Sequence, residues 1–253
     1  MINENSDITL VVTSCGRFDL LKVTLQSFLK NNNTPIKRLI LTEDSGDEAV
    51  HSAIPQELSE NALVFVNKPQ LGQLKSIDLA YSHVDTKYIF HCEDDWFFYR
   101  PGFLEESKMI LEHDPSILQV RISKHDYQVN NLVELGAREI INGCAYYRNV
   151  GRWKGLSWNP GLRRLKDYKL LESYNSFQNK NDTFLDVESN LNEFYKDRRL
   201  EAVFLENYVV DHIGDGRHIT MMGERKKKLK KRLKQYSKIF GLIALGYLLA
   251  NWI

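Results

Sequence analysis

The sequence predicts an α/β fold in which a mostly parallel sheet is flanked by helices. Two observations predict this class. Short β-branched, apolar runs alternate with segments of helical periodicity, and polar turns follow the apolar runs. The chain has 253 residues, of which 43% are hydrophobic and 26% are charged, so it is an ordinary globular sequence that can bury a sizeable core.

The first hundred residues repeat the alternation of strand and helix. Residues 8–12 form a β-branched apolar run typical of a buried strand. A helix is predicted over 18–31, because apolar residues recur at i, i+4, i+7 and i+8 from Leu21. The other elements predicted in this half are strands at 38–42, 62–66 and 87–92 and a helix at 71–82.

The pattern becomes less regular after Pro101. Residues 149–165 are rich in Gly, Trp and Arg and have weak periodicity, so we interpret them as a loop that binds or covers something. The elements predicted around this loop are helices at 103–113 and 183–196 and strands at 117–122, 143–148 and 202–205.

Charge is distributed unevenly along the chain. Residues 1–224 contain 25 basic and 33 acidic residues, whereas 225–238 contain nine basic residues and no acidic one. An acidic body argues against nucleic acid as its partner, and a basic tail favours an anionic surface. The apolar run 239–253 follows, so we expect 223–253 to be a basic, amphipathic helix that anchors the chain at a membrane.

The three cysteines, Cys15, Cys92 and Cys144, lie far apart and form no CxxC pair. This spacing excludes the usual zinc and redox motifs and is typical of a reducing compartment. The N-terminal residues are polar and acidic, unlike a signal peptide. We therefore expect the body to be cytosolic.

The strongest functional signal is the acidic triplet Glu93-Asp94-Asp95, which directly follows the strand at 87–92. Ligand sites of open α/β sheets lie at the carboxyl ends of strands. Because side chains alternate along extended backbone, Glu93 and Asp95 are predicted to point the same way. Two converging carboxylates suit Mg²⁺ or Mn²⁺, which in turn holds phosphates.

Taken in order, these motifs resemble those of the family 2 glycosyltransferases, which have the Rossmann-like GT-A fold and use nucleotide-sugar donors. The resemblance covers about 8–218 and implies a glycosyltransferase domain at 1–222, with a donor half (about 1–100) and an acceptor half (about 101–222). It implies an inverting transfer of a sugar to a hydroxyl of a glycan or lipid-linked acceptor.

The donor-binding residues that the resemblance implies lie at three strand ends. Thr13, Ser14 and Arg17 resemble the nucleotide loop after the first strand. After the second strand, either Glu43 or Asp44 would accept from the nucleobase, which favours a UDP-sugar. Lys75, on the third helix, would reach a phosphate, and Asp94 would complete the donor side.

The acidic triplet occupies the place of the family's DxD metal motif, with Glu93 and Asp95 as ligands. The first acid of the motif is usually Asp, so Glu93 departs from the pattern. His212 resembles the histidine that completes the metal or diphosphate site. Glu188, three residues before Leu191, has the spacing of the general base, and Asp186 is the alternative.

The loop 149–165 is predicted to border the acceptor. Trp153 and Trp158 offer flat faces for sugar rings, with core packing an equal alternative for each, and Trp96 is a further candidate. Arg163 and Arg164 would contact a phosphate or carboxylate of an anionic acceptor.

Two alternatives remain open on this sequence. A nucleotidyltransferase also uses a nucleotide and a metal on an α/β sheet, although 13–17 has only one glycine. A non-catalytic, membrane-bound nucleotide- or sugar-binding protein is compatible with the departures at Glu93 and before Glu188. By analogy, the expected place is the cytoplasmic face of a bacterial inner membrane, in lipopolysaccharide or capsule synthesis.

Overall fold

The computed structural model describes residues 2–124, 133–151, 155–179 and 182–217. Within these residues the core of the fold is one nine-stranded sheet, in the order β3-β2-β1-β4-β9-β6-β10-β8-β7. Seven of these strands run in one direction, and only β8 and β9 oppose them. The sheet is therefore mixed but mostly parallel, as the sequence predicts.

The strands carry the following bounds: β1 Ile8–Ser14, β2 Leu39–Glu43, β3 Leu63–Val66, β4 Tyr88–Glu93, β5 Trp96–Phe98, β6 Ile117–Arg121, β7 Leu135–Ile141, β8 Cys144–Asn149, β9 Gly161–Arg164, β10 Glu201–Leu205 and β11 Val210–His212. The helices are α1 Phe18–Asn31, α2 Gln56–Ser59, α3 Gln73–Ser82, α4 Phe103–His113, α5 Leu165–Tyr168 and α6 Phe184–Lys196. Every strand and helix predicted from apolar periodicity within residues 8–205 is confirmed, with ends that differ by up to two residues.

Two hydrophobic clusters cover the two faces of the sheet. One packs α1 and α4 against the sheet, and its centre is an aromatic group of Phe28, Phe90, Phe98 and Phe103 with ring centroids 5.4–6.0 Å apart. The other packs α3 and α6 against the opposite face. Since both faces are covered, the central strands are buried along their whole length.

The prediction of a loop over 149–165 is wrong at its C-terminal end, because residues 161–164 form the strand β9 between β4 and β6. Its sequence hides the strand: Gly161 has low β propensity, and Arg163 and Arg164 are charged. Gly161 is required there, since a Cβ would lie 2.5 Å from the Val120 carbonyl oxygen. The short strands β5 and β11 and the strand β7 were not predicted either.

Within the part of the chain that the structure describes, no helix is both long and apolar enough to cross a membrane. The predicted membrane helix over 223–253 lies outside the described residues.

Candidate functional site

The acidic triplet lies where β4 ends and the chain turns into β5. Glu93 is the last residue of β4, whose neighbours in the sheet are β1 and β9. Asp94 and Asp95 form the turn and are 0% and 4% exposed. Carboxylates are seldom buried so deeply without partners, so the turn must be compensated by other charged groups.

Arg17 supplies most of that compensation. It lies in the turn between β1 and α1, where its Nε and Nη2 donate to Asp94 and its Nη1 donates to Asp95 Oδ2 at 2.7 Å. The paired carboxylates in turn raise the pKa of Arg17, although burial opposes the rise. The turn at Arg17 and the acid turn, 77 residues apart in sequence, thus form one charged cluster.

Helix α1 holds the backbone of the acid turn. The Thr24 hydroxyl donates to the Asp94 carbonyl at 2.9 Å and accepts from Trp96 N at 3.0 Å. The Ser27 hydroxyl accepts from Phe98 N at 3.0 Å. Our sequence interpretation missed Thr24 and Ser27, and the available signal was a pair of hydroxyls, three residues apart, on the apolar face of a helix.

His212 reaches the same cluster from β11, which pairs with β5 so that His212 lies opposite Trp96. Its Nε2 lies 3.2 Å from Asp95 Oδ2 and its Nδ1 lies 3.0 Å from Asp215 Oδ1. The hydrogen bond to Asp95 raises the pKa of His212, with burial opposing it. For Asp95, burial raises the pKa, but the hydrogen bond from His212 and the charge of Arg17 lower it below its ordinary value.

Gly214 allows this close packing, because a Cβ at that position would lie 2.3 Å from Asp95 Oδ2 and 2.8 Å from Asp95 Cβ. Asp95 cannot move aside without breaking its bonds to Arg17 and His212.

We therefore expect Gly214→Ala to abolish nucleotide-induced thermal stabilisation. Gly216→Ala is the matched control: a Cβ there meets nothing, but the positive φ of 76° costs stability of about 1 kcal/mol. Equal loss of nucleotide binding in both variants would contradict this role of Gly214.

Asp95 and His212 fit a divalent metal in two respects. Asp95 Oδ1 is buried without a hydrogen-bond partner, and one carboxylate with one imidazole is a donor set that Mn²⁺ accepts when phosphate oxygens complete it. Among the described residues, however, no group of three or more His, Cys, Asp or Glu side chains converges as a metal site. The fit therefore depends on oxygens that a bound donor would supply.

The Glu93 side chain bonds to α3, where its Oε1 accepts from Gln73 Nε2 at 2.6 Å. Burial, followed by the charges of Asp95 and Asp94, raises the pKa of Glu93 to about 8. Gln73, in the first turn of α3, is a third residue that our sequence interpretation missed. Lys75, predicted to reach a phosphate, lies on α3 with its side chain exposed, and its role stays a prediction.

The structure separates the two acids that the sequence left equal after β2. Asp44 accepts hydrogen bonds from Leu71 N, Gly72 N, Asn67 Nδ2 and Ser76 Oγ at 2.8–3.1 Å. With four donors on its two oxygens, Asp44 holds the entry to α3 and does not suit the nucleobase role. Glu43 uses Oε1 for Gly16 N and Ser45 N, while its buried Oε2 has no hydrogen-bond partner.

Thr13 and Ser14 are the last two residues of β1, which lies between β2, ending at Glu43, and β4, ending at Glu93. In the sheet, Thr13 lies beside Glu93 and Ser14 lies beside Glu43, and both are buried. The predicted donor residues at the ends of β1, β2 and β4 therefore share one edge of the sheet.

The two base candidates on α6 differ in their surroundings. Asp186 belongs to a capping box, where its Oδ2 accepts from Thr183 N at 2.6 Å and Thr183 Oγ1 at 2.7 Å. Glu188 is 6% exposed and its Oε1 accepts from Trp158 N at 3.2 Å. Burial raises the pKa of Glu188 to about 7, and the Trp158 N–H and Arg121 limit the rise. A carboxyl that titrates near neutral pH suits a general base.

Most of the predicted acceptor residues are buried. The Trp158 ring is 1% exposed and packs edge-on against Tyr174 at 4.8 Å, so it belongs to the core and presents no face to a sugar. Trp96 is 2% exposed, with its ring 5.1 Å from that of His212. Arg163 is buried beside Ser157, whose carbonyl accepts from its Nη2 at 3.1 Å. Trp153 lies outside the described residues.

Arg164 does not fit the predicted acceptor role. It lies opposite Tyr88, at the start of β4 and hence at the far edge of the sheet from the acid turn. Its guanidinium is buried and donates to Asp167 and to three backbone carbonyls, those of Leu111, Asp114 and Ile117. The prediction assumed a loop, whereas a strand places neighbouring arginines several ångströms apart on opposite faces.

Solved structures with a similar fold include a mannosyltransferase. The mannosyltransferase PcManGT from Pyrobaculum calidifontis, in complex with GDP-Man and Mn²⁺, matches 86% of this chain with a TM-score of 0.60 at 10% identity. Two structures of S. aureus TarS match 80% of it, with TM-scores of 0.55 and 0.56 at 12% identity. This chain spans 60% of the length of PcManGT and 59% and 36% of the two TarS chains.

No protein-family model matches the chain, and no curated protein sequence matches it. At 10–12% identity the structural likeness concerns the fold. The predicted GT-A-like α/β fold is thus confirmed, whereas membership of family 2 stays a prediction.

Proposed function

We propose that this chain is a glycosyltransferase that moves a sugar from a nucleotide-sugar donor to an acceptor hydroxyl. The observation that carries the proposal is the cluster in which Arg17, Asp95 and His212 converge at the carboxyl edge of the sheet. Such an edge is where α/β folds bind nucleotides. A separate buried carboxyl, Glu188, titrates near neutrality on another element.

The donor half binds the nucleoside diphosphate. Arg17 is the cation beside the acid turn, and its planar fork of N–H donors suits phosphate oxygens. Glu43 Oε2, which has no protein partner, is the acceptor available for an N–H group of the base. Arg17 lies in the turn between β1 and α1 and Glu43 is the last residue of β2, so both are held by regular structure and little ordering is needed on binding.

A divalent cation, held by Asp95 and His212, would neutralise the charge that develops on the leaving diphosphate. The complex of PcManGT contains Mn²⁺ and GDP-Man, which supports a metal and a nucleotide-sugar for this chain by structural analogy. A UDP-sugar remains our specific expectation from the resemblance of the turn at Glu43 to the family pattern.

Glu188 is the general base in this proposal. The acceptor oxygen attacks the anomeric carbon, its proton passes to Glu188, and the bond to the diphosphate oxygen breaks with its electron pair. One displacement of this kind inverts the anomeric configuration. The Trp158 N–H donates to Glu188 Oε1 at 3.2 Å and so holds the carboxyl in place.

We also propose that the acceptor is lipid-linked and that 223–253 holds the enzyme at an anionic, cytoplasmic membrane surface. Support comes from the sequence alone: nine cations in 225–238 precede the apolar run 239–253. Binding of the full chain to vesicles with and without anionic lipid tests this part, and equal binding to both kinds would contradict it.

The test of the function is a donor-hydrolysis screen with UDP-, GDP-, dTDP- and CMP-sugars, in Mn²⁺ or in EDTA. We expect slow, metal-dependent release of one nucleotide, and its loss in Asp95→Asn, which keeps the shape of the side chain but removes the charge. Asp85→Asn is the control, because Asp85 pairs with Lys37 on the surface. Release that survives in EDTA and in Asp95→Asn would remove the metal role of this turn.

The same screen separates the alternatives. A nucleotidyltransferase would instead form a nucleotide-sugar from a nucleoside triphosphate and a sugar phosphate. A binding protein would show a nucleotide-induced thermal shift with no turnover. If the protein shows neither nucleotide release nor a nucleotide-induced thermal shift, the proposed donor site itself is overturned.

A further inference from the structure

Arg121 is a buried arginine that neither the sequence motifs nor the acid turn involves. It is the last residue of β6 and is 1% exposed. Its Nε and Nη2 atoms have no hydrogen-bond partner. A buried guanidinium without full compensation is costly, so its presence in the middle of the sheet calls for a physical reason.

The neighbouring strands leave room for this side chain. Arg121 lies opposite Gly161 on β9 and beside Phe204 on β10. Its guanidinium carbon lies 4.7 Å from the centre of the Phe204 ring, which is a favourable contact for a cation in a dry place. These neighbours hold the charge in position but do not neutralise it.

Arg121 and Glu188 lie on the same side of the sheet: Arg121 shares a face of β6 with Gln119, which bonds Ser157, and the next residue, Trp158, bonds Glu188 on α6. The two groups interact electrostatically, and the interaction favours the charged form of each. Two further charged or polar groups act on Glu188: the guanidinium of Arg163, from β9, and the hydroxyl of Ser157. Burial works against both members of the pair, because it disfavours the ionised carboxyl and the ionised guanidinium alike.

The backbone that binds Glu188 is held by the same strands. Gln119 Oε1 accepts from Ser157 N and Gln119 Nε2 donates to Ser157 O, both at 3.1 Å. Arg163 Nη2 donates to the same Ser157 carbonyl at 3.1 Å, and the next residue, Trp158, donates its N–H to Glu188. Hydrogen bonds from β6 and β9 therefore hold the backbone that bonds Glu188, and Arg121 on β6 and Arg163 on β9 are the cations that act on its carboxyl.

We propose that Arg121 is a positioning residue for the general base: its buried charge keeps the Glu188 carboxylate ionised, and therefore able to accept a proton, in a site that excludes water. This inference rests on the proposed function of Glu188. Arg121 itself needs no contact with either substrate, since it acts through the field at the carboxylate.

The test compares the titration of Glu188 in the wild type, Arg121→Met and Arg121→Lys. Protein labelled with ¹³C at the glutamate carboxyl reports each titration, and Glu188→Gln assigns the resonance. We expect the midpoint of Glu188 to rise by about one unit in Arg121→Met, the low end for loss of a nearby opposite charge. Arg121→Lys retains the charge and should titrate close to the wild type. An unchanged midpoint in folded Arg121→Met overturns the proposal.

In Arg121→Met, the pH below which the rate of donor hydrolysis falls (the acid limb of the pH profile) should rise together with the midpoint of the Glu188 titration. A merely structural role for Arg121 would lower the rate at every pH and leave the limb in place. The carboxyl titration needs no turnover, so it tests the Arg121–Glu188 pair even where hydrolysis fails. Full activity in Glu188→Gln would instead refute the proposed base.

The double variant Arg121→Met/Glu188→Gln covers the case in which Arg121→Met does not fold. Removing Arg121 alone leaves an uncompensated buried carboxylate at pH 8, whereas the double variant contains neither charge. We expect the double variant to be more stable than Arg121→Met at pH 8 by thermal denaturation. Equal or lower stability of the double variant would contradict the pairing.

Discussion

Glu188→Gln is expected to lower the turnover number by about 100- to 10,000-fold, the usual contribution of a general base. Glutamine has the shape of glutamate and can still accept from Trp158 N, so the fold should be retained. The measurement is the rate of nucleotide release, with and without acceptor, together with donor affinity. We expect donor affinity to be unchanged, because Glu188 lies on α6 and the donor residues lie on the turns after β1, β2 and β4.

The raised pKa of Glu188 fixes the direction in which activity and stability change with pH. A base must be deprotonated to work, and burial raises the pKa of Glu188 to about 7, so activity should fall as the pH drops through 7. The raised pKa also means that the folded protein binds this proton more tightly than the unfolded chain does. Stability is therefore lost as the pH rises from 4.5 to 7.

Asp186→Ala is the control that separates the two candidate bases. Asp186 accepts from Thr183 in the capping box, so its removal should cost about 1 kcal/mol of stability and leave turnover intact. A loss of turnover in Asp186→Ala that matches the loss in Glu188→Gln would show that the base assignment is wrong.

Arg17→Met is expected to have the largest effect on both stability and donor binding. Arg17 is 14% exposed, and Asp94, which it pairs with, is wholly buried. Removing one partner of a buried pair leaves an uncompensated charge, so the free energy of unfolding should fall by about 3 kcal/mol. If Arg17 binds the diphosphate as we propose, its loss should weaken nucleotide binding at least about tenfold. Chemical denaturation and calorimetric titration with nucleoside diphosphate measure the two effects.

Arg100→Met is the matched control for Arg17→Met. Arg100 pairs with Glu106 through two hydrogen bonds, but both side chains are 26% exposed. An exposed pair contributes about 1 kcal/mol or less, and this one lies outside the proposed donor site. Similar losses of stability in the two variants would contradict our view that burial makes the Arg17 cluster costly to disrupt.

The regular elements of this fold are predictable because they depend on local periodicity. Strands such as β1 and β2 are buried on both faces and read as continuous apolar runs, and α1 has apolar residues at helical spacing. The strand β9 escaped prediction for the opposite reason: its partners β4 and β6 form it, and its own residues, Gly161 and two arginines, do not favour a strand.

The candidate site shows the same division. The sequence by itself determined that an acidic triplet follows β4, that Arg17 follows β1 and that Glu188 lies on a late helix, because each depends on a motif and its neighbouring element. Only the tertiary structure decided that Arg17 pairs with Asp94 and Asp95, that Asp44 holds a loop while Glu43 Oε2 has no hydrogen-bond partner, and that Arg121 is buried opposite Gly161. Burial and partnership of a charged group depend on residues far apart in the chain, and no local pattern contains them.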